Sequence, residues 1–201
     1  MIELKNICFS YGSDDESDDE NVFENFSLEI KSDEFVAVMG KSGIGKSTLM
    51  RLILGLEAPK QGSITGLDGK RISVVWQENR LLTWYNVLKN VMIVSSAPGK
   101  ASAMEILRLL RLNECIYEYP NELSGGQQRR VAIARALYYG GDLVLLDEPF
   151  TGLDAELKAE TAALIKKYFR SALLITHDKA EAELLGCKRI MIISDKKIET
   201  V

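Results

Sequence analysis

The chain has 201 residues, 46% of them hydrophobic, enough for one substantial core and too few for more than two lobes. Its longest apolar runs, residues 35–39 and 143–146, fall far short of the roughly 20 residues that span a bilayer, and residues 1–5 alternate like a strand instead of opening a signal sequence, so a cytosolic protein with no span of its own is expected. The formal charge is −4, yet Asp14, Asp15, Glu16, Asp18, Asp19 and Glu20 supply six of the 29 acids; the other 23 face 25 Lys and Arg, and no basic stripe points to nucleic acid.

In chain order, residues 2–9 alternate as a strand, residues 23–30 alternate again after the acidic stretch, and residues 35–39 read as a buried strand. Residues 46–56 have helical apolar spacing at Leu49, Leu52, Ile53 and Leu56, with Pro59 and Gly62 marking the exit. A strand is expected over 71–77. Residues 86–112 turn helical and are broken by Pro98-Gly99, which predicts two helices in a lobe inserted into the sheet domain. A helix from about 126 to 139, a strand over 142–147, an amphipathic helix over 155–169 with Leu157, Leu164 and Tyr168 on one face, and a strand over 172–176 complete the pattern. Strands separated by helices imply a largely parallel, doubly wound sheet with ligand sites at the carboxyl ends of its strands. Cys8, Cys115 and Cys187 are odd in number and widely spaced, and read as reduced packing thiols.

The segment Gly40, Lys41, Ser42, Gly43, Ile44, Gly45, Lys46, Ser47, Thr48 fits G-x-x-x-x-G-K-[ST] between a predicted strand and a predicted helix. Glycines let main-chain N–H groups wrap a phosphate, the helix start adds positive potential, Lys46 neutralises the β and γ phosphates, and Ser47 offers a hydroxyl to Mg²⁺. ATP is the expected ligand. The strand ending at Asp147-Glu148 delivers two carboxylates: Asp147 to hold Mg²⁺ through water, Glu148 to polarise an attacking water. Neighbours on an extended chain point in opposite directions, which suits two separate tasks. Ser124, Gly125, Gly126 and Gln127 follow Leu123 and open a helix whose first N–H groups could face an anion, or merely form a serine N-cap. This pentapeptide begins 19 residues before Asp142, with a basic helix between.

In that order and spacing, the chain resembles the nucleotide-binding subunit of an ABC (ATP-binding cassette) transporter from Tyr11 to His177. The resemblance implies an α/β P-loop NTPase with a mainly parallel core, N-terminal antiparallel strands and an inserted helical subdomain. Residues 1–77 and about 142–201 would form the core, and about 78–141 the helical subdomain carrying the signature sequence, Leu123 to Gln127. It further implies that Ser124, Gly125, Gly126 and Gln127 press on the γ-phosphate of an ATP held by a second subunit, giving a head-to-tail homodimer or heterodimer with two shared sites. Tyr11 matches the aromatic that stacks on adenine. Gln77 matches the glutamine that reaches Mg²⁺ and couples to the membrane partner. His177 matches the switch histidine that bonds the γ-phosphate and orients the water. Asp154, in Thr151-Gly152-Leu153-Asp154, matches the dimer-contact loop and equally reads as a helix N-cap.

Residues 77–87 are similar to the stretch in nitrate, sulfonate and taurine importer ATPases where Leu-Leu-Pro-Trp is common, with Thr83 in place of the proline. Leu81, Leu82, Trp84 and Tyr85 there either pack inward or line a groove for a membrane subunit's helix. The acidic run is expected to be a solvated loop, the sharper alternative being a charge barrier to nucleotide. With 24 residues after His177, regulation through a C-terminal domain of the kind some relatives carry is not expected. The expectation is thus an ATP-hydrolysing subunit on the cytoplasmic face of the membrane, bound peripherally through permease subunits, driving import, with a substrate-binding protein as a further partner. The alternatives are a soluble ABC ATPase acting on DNA or ribosomes and a regulatory partner without turnover.

Overall fold

A computed structural model describes residues 1–12, 21–95, 99–194 and 196–200. The acidic run and Pro98 lie outside them. In chain order the described elements are β1 (Ile2–Phe9), β2 (Phe23–Ile30), β3 (Phe35–Met39), α1 (Lys46–Ile53), β4 (Gln61–Thr65), β5 (Ile72–Val75), α2 (Val87–Met92), α3 (Lys100–Leu109), α4 (Gly125–Tyr139), β6 (Leu143–Asp147), α5 (Ala155–Tyr168), β7 (Ala172–Ile175), α6 (Lys179–Leu185), β8 (Arg189–Ser194) and β9 (Lys197–Thr200). They fall into two compact units, Met1–Lys70 with Arg170–Val201, and Arg71–Phe169.

The first unit holds a three-stranded antiparallel sheet in the order β2-β1-β4. The alternation expected along β1 and β2 slips by one residue midway. Ile2 and Leu4 are buried, then Ile7 and Phe9, because Asn6 adopts a left-handed φ of 52° and the pairing register shifts there. Asn25 does the same in β2, so that Phe23 is followed by Phe26, Leu28 and Ile30 on the buried face. Such bulges keep apolar residues on one face of a bent strand. No strand is expected over β4, because its Gln61, Gly62, Ser63, Ile64 and Thr65 carry no apolar alternation; it pairs antiparallel with β1. Gly62 is required there, since a Cβ would sit 2.4 Å from the Lys5 carbonyl oxygen.

In the same unit, β3 runs parallel to β7 (Val38 opposite Ile175) and to β8 (Val38 opposite Met191), and β9 folds back antiparallel on β8. All four residues of β7 are buried. Arg189 at the start of β8 pairs with the buried Glu34 through Nε (2.7 Å) and Nη2 (2.8 Å) and also donates to Glu29 O (2.6 Å). The guanidinium holds the Glu34 carboxyl below its ordinary range. α1 ends at Ile53, three residues before the expected limit: Gly55 takes φ 67° and Leu56 turns outward, 63% exposed. α6, β8 and β9 lie beyond His177, where the sequence reading stopped.

In the second unit β5 and β6 run parallel, with Val75 opposite Leu146, and all five residues of β6 are buried. α4 is the central helix: Val131, Ala132, Ile133, Ala134, Ala136 and Leu137 are all buried. The expected break in the helical stretch falls between α2 and α3, and Gly99 at the start of α3 donates its N–H to the Tyr138 hydroxyl at 3.0 Å. Asn90, fully buried in α2, organises the segment before that helix. Its Oδ1 accepts from Leu82 N (2.8 Å), and its Nδ2 donates to the carbonyls of Leu82 (3.0 Å), Tyr85 (2.8 Å) and Asn86 (3.1 Å). Asn90→Ala strands several buried main-chain groups, and a loss of roughly 2–4 kcal/mol in unfolding free energy is expected; denaturant melts of the two proteins measure it.

Candidate functional site

In the first unit the residues 40–48 leave the carboxyl end of β3 and enter α1. The helix starts after Gly45, whose φ of 105° suits glycine and whose Cβ would lie 2.5 Å from Val22 Cγ1 and 3.0 Å from Phe23. No side-chain cap bond is made at that start, the kind of helix N-terminus at which main-chain N–H groups can meet an anion. Lys41, Ser42, Gly43 and Ser47 are exposed, Ile44 and Lys46 half-buried, and Thr48 buried. Lys46 folds back over the loop: its Nζ donates to Gly40 O and Lys41 O, each at 2.8 Å. Two of its three N–H donors thus hold the loop in shape.

Tyr11 stands beside the same helix start. Its hydroxyl shares a 2.8 Å hydrogen bond with Thr48 Oγ1, and its ring meets Phe9 edge-on at 4.9 Å, while 46% of the residue stays exposed. His177 lies two residues past the end of β7, the strand next to β3, so the phosphate loop and the histidine leave neighbouring strand ends of this unit. Its surroundings are stiff. The buried Thr176 hydroxyl donates to Glu181 Oε2 (2.6 Å) and accepts from Asp178 N (3.1 Å), and Thr176 N reaches Val38 O on β3 (3.3 Å).

The second unit gathers the other sequence-predicted residues. Gln77 follows β5 and is exposed; Asp147 closes β6 and is buried. Glu148 departs from the extended pair expected from sequence, because its φ is +47°, so the chain turns away as soon as Asp147 is passed. Ser124 caps α4 in a reciprocal box: Gln127 N donates to Ser124 Oγ (3.3 Å) and Ser124 N to Gln127 Oε1 (2.8 Å). Gly126 packs on the next loop, where a Cβ would meet Gly152 O at 2.7 Å. Asp154 caps α5 as expected, its Oδ1 accepting from Leu157 N at 2.9 Å. The Leu123–Gln127 segment and the Thr151–Asp154 loop are therefore in contact.

Sequence reasoning missed Arg129, which is 3% exposed and sits one turn into α4. Its Nε donates to Pro149 O (3.2 Å); its Nη1 to Trp76 O, to Gln77 O (3.3 Å) and to Asn79 Oδ1 (3.3 Å); its Nη2 to Asp147 O and Glu148 O. One side chain thus joins the signature helix to the ends of β5 and β6. The signal was helical spacing: 129, 132, 133 and 136 form one stripe with Ala132, Ile133 and Ala136, the buried face of α4.

Of the aromatic segment, Leu81, Leu82 and Tyr85 are half-buried and Trp84 is 66% exposed. A cleft of about 420 Å³ lies in the same unit, lined by Asn86, Leu88, Lys89, Met92, Ile93 and Lys100, with Lys89 Nζ 4.3 Å from the Tyr85 ring centre. No helix among the described residues is long and apolar enough to cross a membrane.

The chain is similar to a solved dimeric ATP-binding cassette in a post-hydrolysis state bound to ADP and Pi, with a TM-score of 0.87, 30% identity, and coverage of 99% of this chain and 97% of that one. The fold is accordingly that of an ATP-binding cassette. The chain belongs to the ABC transporter family, whose profile matches residues 23–151. It is 42% identical over 195 residues to the aliphatic sulfonates import ATP-binding protein SsuB of Cupriavidus necator, covering 90% of this chain and 64% of that protein. It is 41% identical over 188 residues to SsuB 1 of Rhodococcus jostii, covering 90% of this chain and 76% of that protein. The chain thus spans less than two thirds of the Cupriavidus relative's length.

Proposed function

We propose that the protein binds and hydrolyses ATP as a subunit of an importer, pairing with a second cassette around two ATP molecules and working through separate membrane permease subunits. The observation that carries this reading is the shaped loop 40–48, with Lys46 fixed across it by two carbonyls and uncapped helix amides beneath. A triphosphate fits that donor set: main-chain N–H groups, one ammonium, and the hydroxyls of Ser47 and Thr48. Tyr11, held by Thr48, would take the adenine. Glu148 would accept a proton from the attacking water, His177 would hold that water and the γ-phosphate, and Asp154 with Ser124, Gly125, Gly126 and Gln127 would face the nucleotide of the second cassette.

Mg²⁺ fits as well. Among the described residues no group of three or more His, Cys, Asp or Glu could hold a metal. A hard ion that draws most of its ligands from phosphate and water needs only Ser47, Asp147 and Gln77 from the protein. When bound, it would neutralise charge on the phosphates. The names of the similar relatives support import, and aliphatic sulfonates are the substrate class they suggest. The exposed Trp84 and the cleft beside α2 offer an apolar surface rimmed by Lys89 and Lys100 to a permease segment lying at the cytoplasmic face of the membrane. The single cassette domain would keep residues about 78–141 as the part that meets it.

Phosphate release by the purified chain with ATP and Mg²⁺ tests the reading, and absence of turnover under dimer-forming concentrations counts against it. Gly126→Ala probes the shared site. Its Cβ must push back the Thr151–Asp154 loop, so ATP binding by the monomer is expected to persist while turnover falls by at least about 10-fold. Normal turnover in that variant would remove the two-cassette arrangement.

A further inference from the structure

We infer that Arg129 is a positioning residue for hydrolysis: by fixing the main chain at Glu148 and at the Gln77 segment together, it sets where the water-activating carboxylate stands relative to the signature helix. The inference rests on the ATPase reading above and adds to it a residue outside the recognised motifs.

The geometry makes the case. A guanidinium has five N–H donors in a planar fork, and here they serve five main-chain carbonyls and the Asn79 side-chain oxygen, all drawn from two strand ends that are separate in sequence, Trp76 to Asn79 and Asp147 to Pro149. Carbonyls clustered at the carboxyl ends of parallel strands carry partial negative charge, and a buried cation among them offsets it. Glu148 needs that support most. Its φ of +47° is a backbone state that a side chain with a Cβ rarely holds unaided, and the carbonyls on both sides of its Cα, Asp147 O and Glu148 O, are those that Nη2 grips. Arg129 stands three residues past Gly126 on α4, so any displacement of the signature segment along that helix is passed by a rigid fork to both strand ends. A glutamine offers two N–H donors and a lysine three from a single point; neither spans both groups.

The test compares Arg129→Gln and Arg129→Lys with the wild-type chain, measuring ATP affinity by equilibrium binding and turnover by phosphate release. Both variants are expected to bind ATP within about twofold of wild type and to lose at least about 10-fold in kcat, with KM moving less than about threefold. Arg129→Lys, which keeps the charge, should retain the larger share of turnover. In a Glu148→Gln background the same Arg129→Gln change should alter the residual rate by less than about twofold, because the side chain it positions is already inert. Unchanged kcat, a loss carried entirely by ATP affinity, or an equal loss in both backgrounds would overturn the role. Should Arg129→Gln fail to fold by circular dichroism, Arg129→Lys is judged by the same criteria. No turnover in the wild-type chain removes the ATPase reading and this role with it, whereas wild-type turnover matched by the variants removes this role alone.

Discussion

Glu148→Gln is expected to abolish all but a trace of turnover, a fall of roughly 100- to 10,000-fold, while ATP binding stays near the wild-type level. The amide matches the carboxylate in size but cannot take a proton from water at neutral pH. The main chain beneath it should stay in place, because Arg129 grips the carbonyls of residues 147 and 148. Without hydrolysis the nucleotide persists between two cassettes, so the variant should also accumulate as a dimer in ATP and revert to monomer when ATP is removed. Phosphate release and sedimentation in the two conditions read both effects. Wild-type turnover in Glu148→Gln would show that another group activates the water.

The second large effect is expected at Lys46. Replacing it with alanine removes the ammonium from a loop where two of its N–H groups hold Gly40 O and Lys41 O and the third is left for a phosphate. A charge-assisted hydrogen bond is worth about 1.5–3 kcal/mol, so ATP affinity should fall roughly 10- to 150-fold, and further if the loop loses its shape. Lys46→Arg should not restore it: the planar fork is longer than the ammonium and cannot sit between two carbonyls 2.8 Å away without moving them. Titration calorimetry with ATP separates these outcomes, and an affinity for Lys46→Ala within twofold of wild type would place the phosphates elsewhere.

The strands β1, β2 and β3, the helices α4 and α5, and the turns and caps at Gly45, Ser124 and Asp154 were legible because each follows a local rule. Apolar period marks the elements, glycine marks the tight approach at Gly45, and Ser124 and Asp154 announce their caps. What escaped was set by partners distant in sequence. β4 is a polar edge strand held by β1, and no periodicity reveals a strand whose side chains face solvent. The bulges at Asn6 and Asn25 matched each other across the sheet, which a reading of either strand alone could not see. Glu148 looked extended because its neighbours Leu145, Leu146 and Asp147 are; the left-handed turn is imposed from α4. Arg129 was hidden among Gln128 and Arg130 in a run that reads as a solvated helix face, although its position on the Ala132, Ile133, Ala136 stripe could have exposed it.

The reciprocal cap at the start of α4 also has a directional effect. By accepting from Gln127 N, Ser124 Oγ commits one of its two lone pairs inward, so its hydrogen and a single lone pair remain for whatever approaches this exposed helix start. At the positive end of α4 the O–H donor is the half that an oxyanion can use, while the helix end repels a cation from the lone pair. The residue that finishes the helix therefore stands where the backbone itself sorts visitors by sign, and no charged side chain is needed for it.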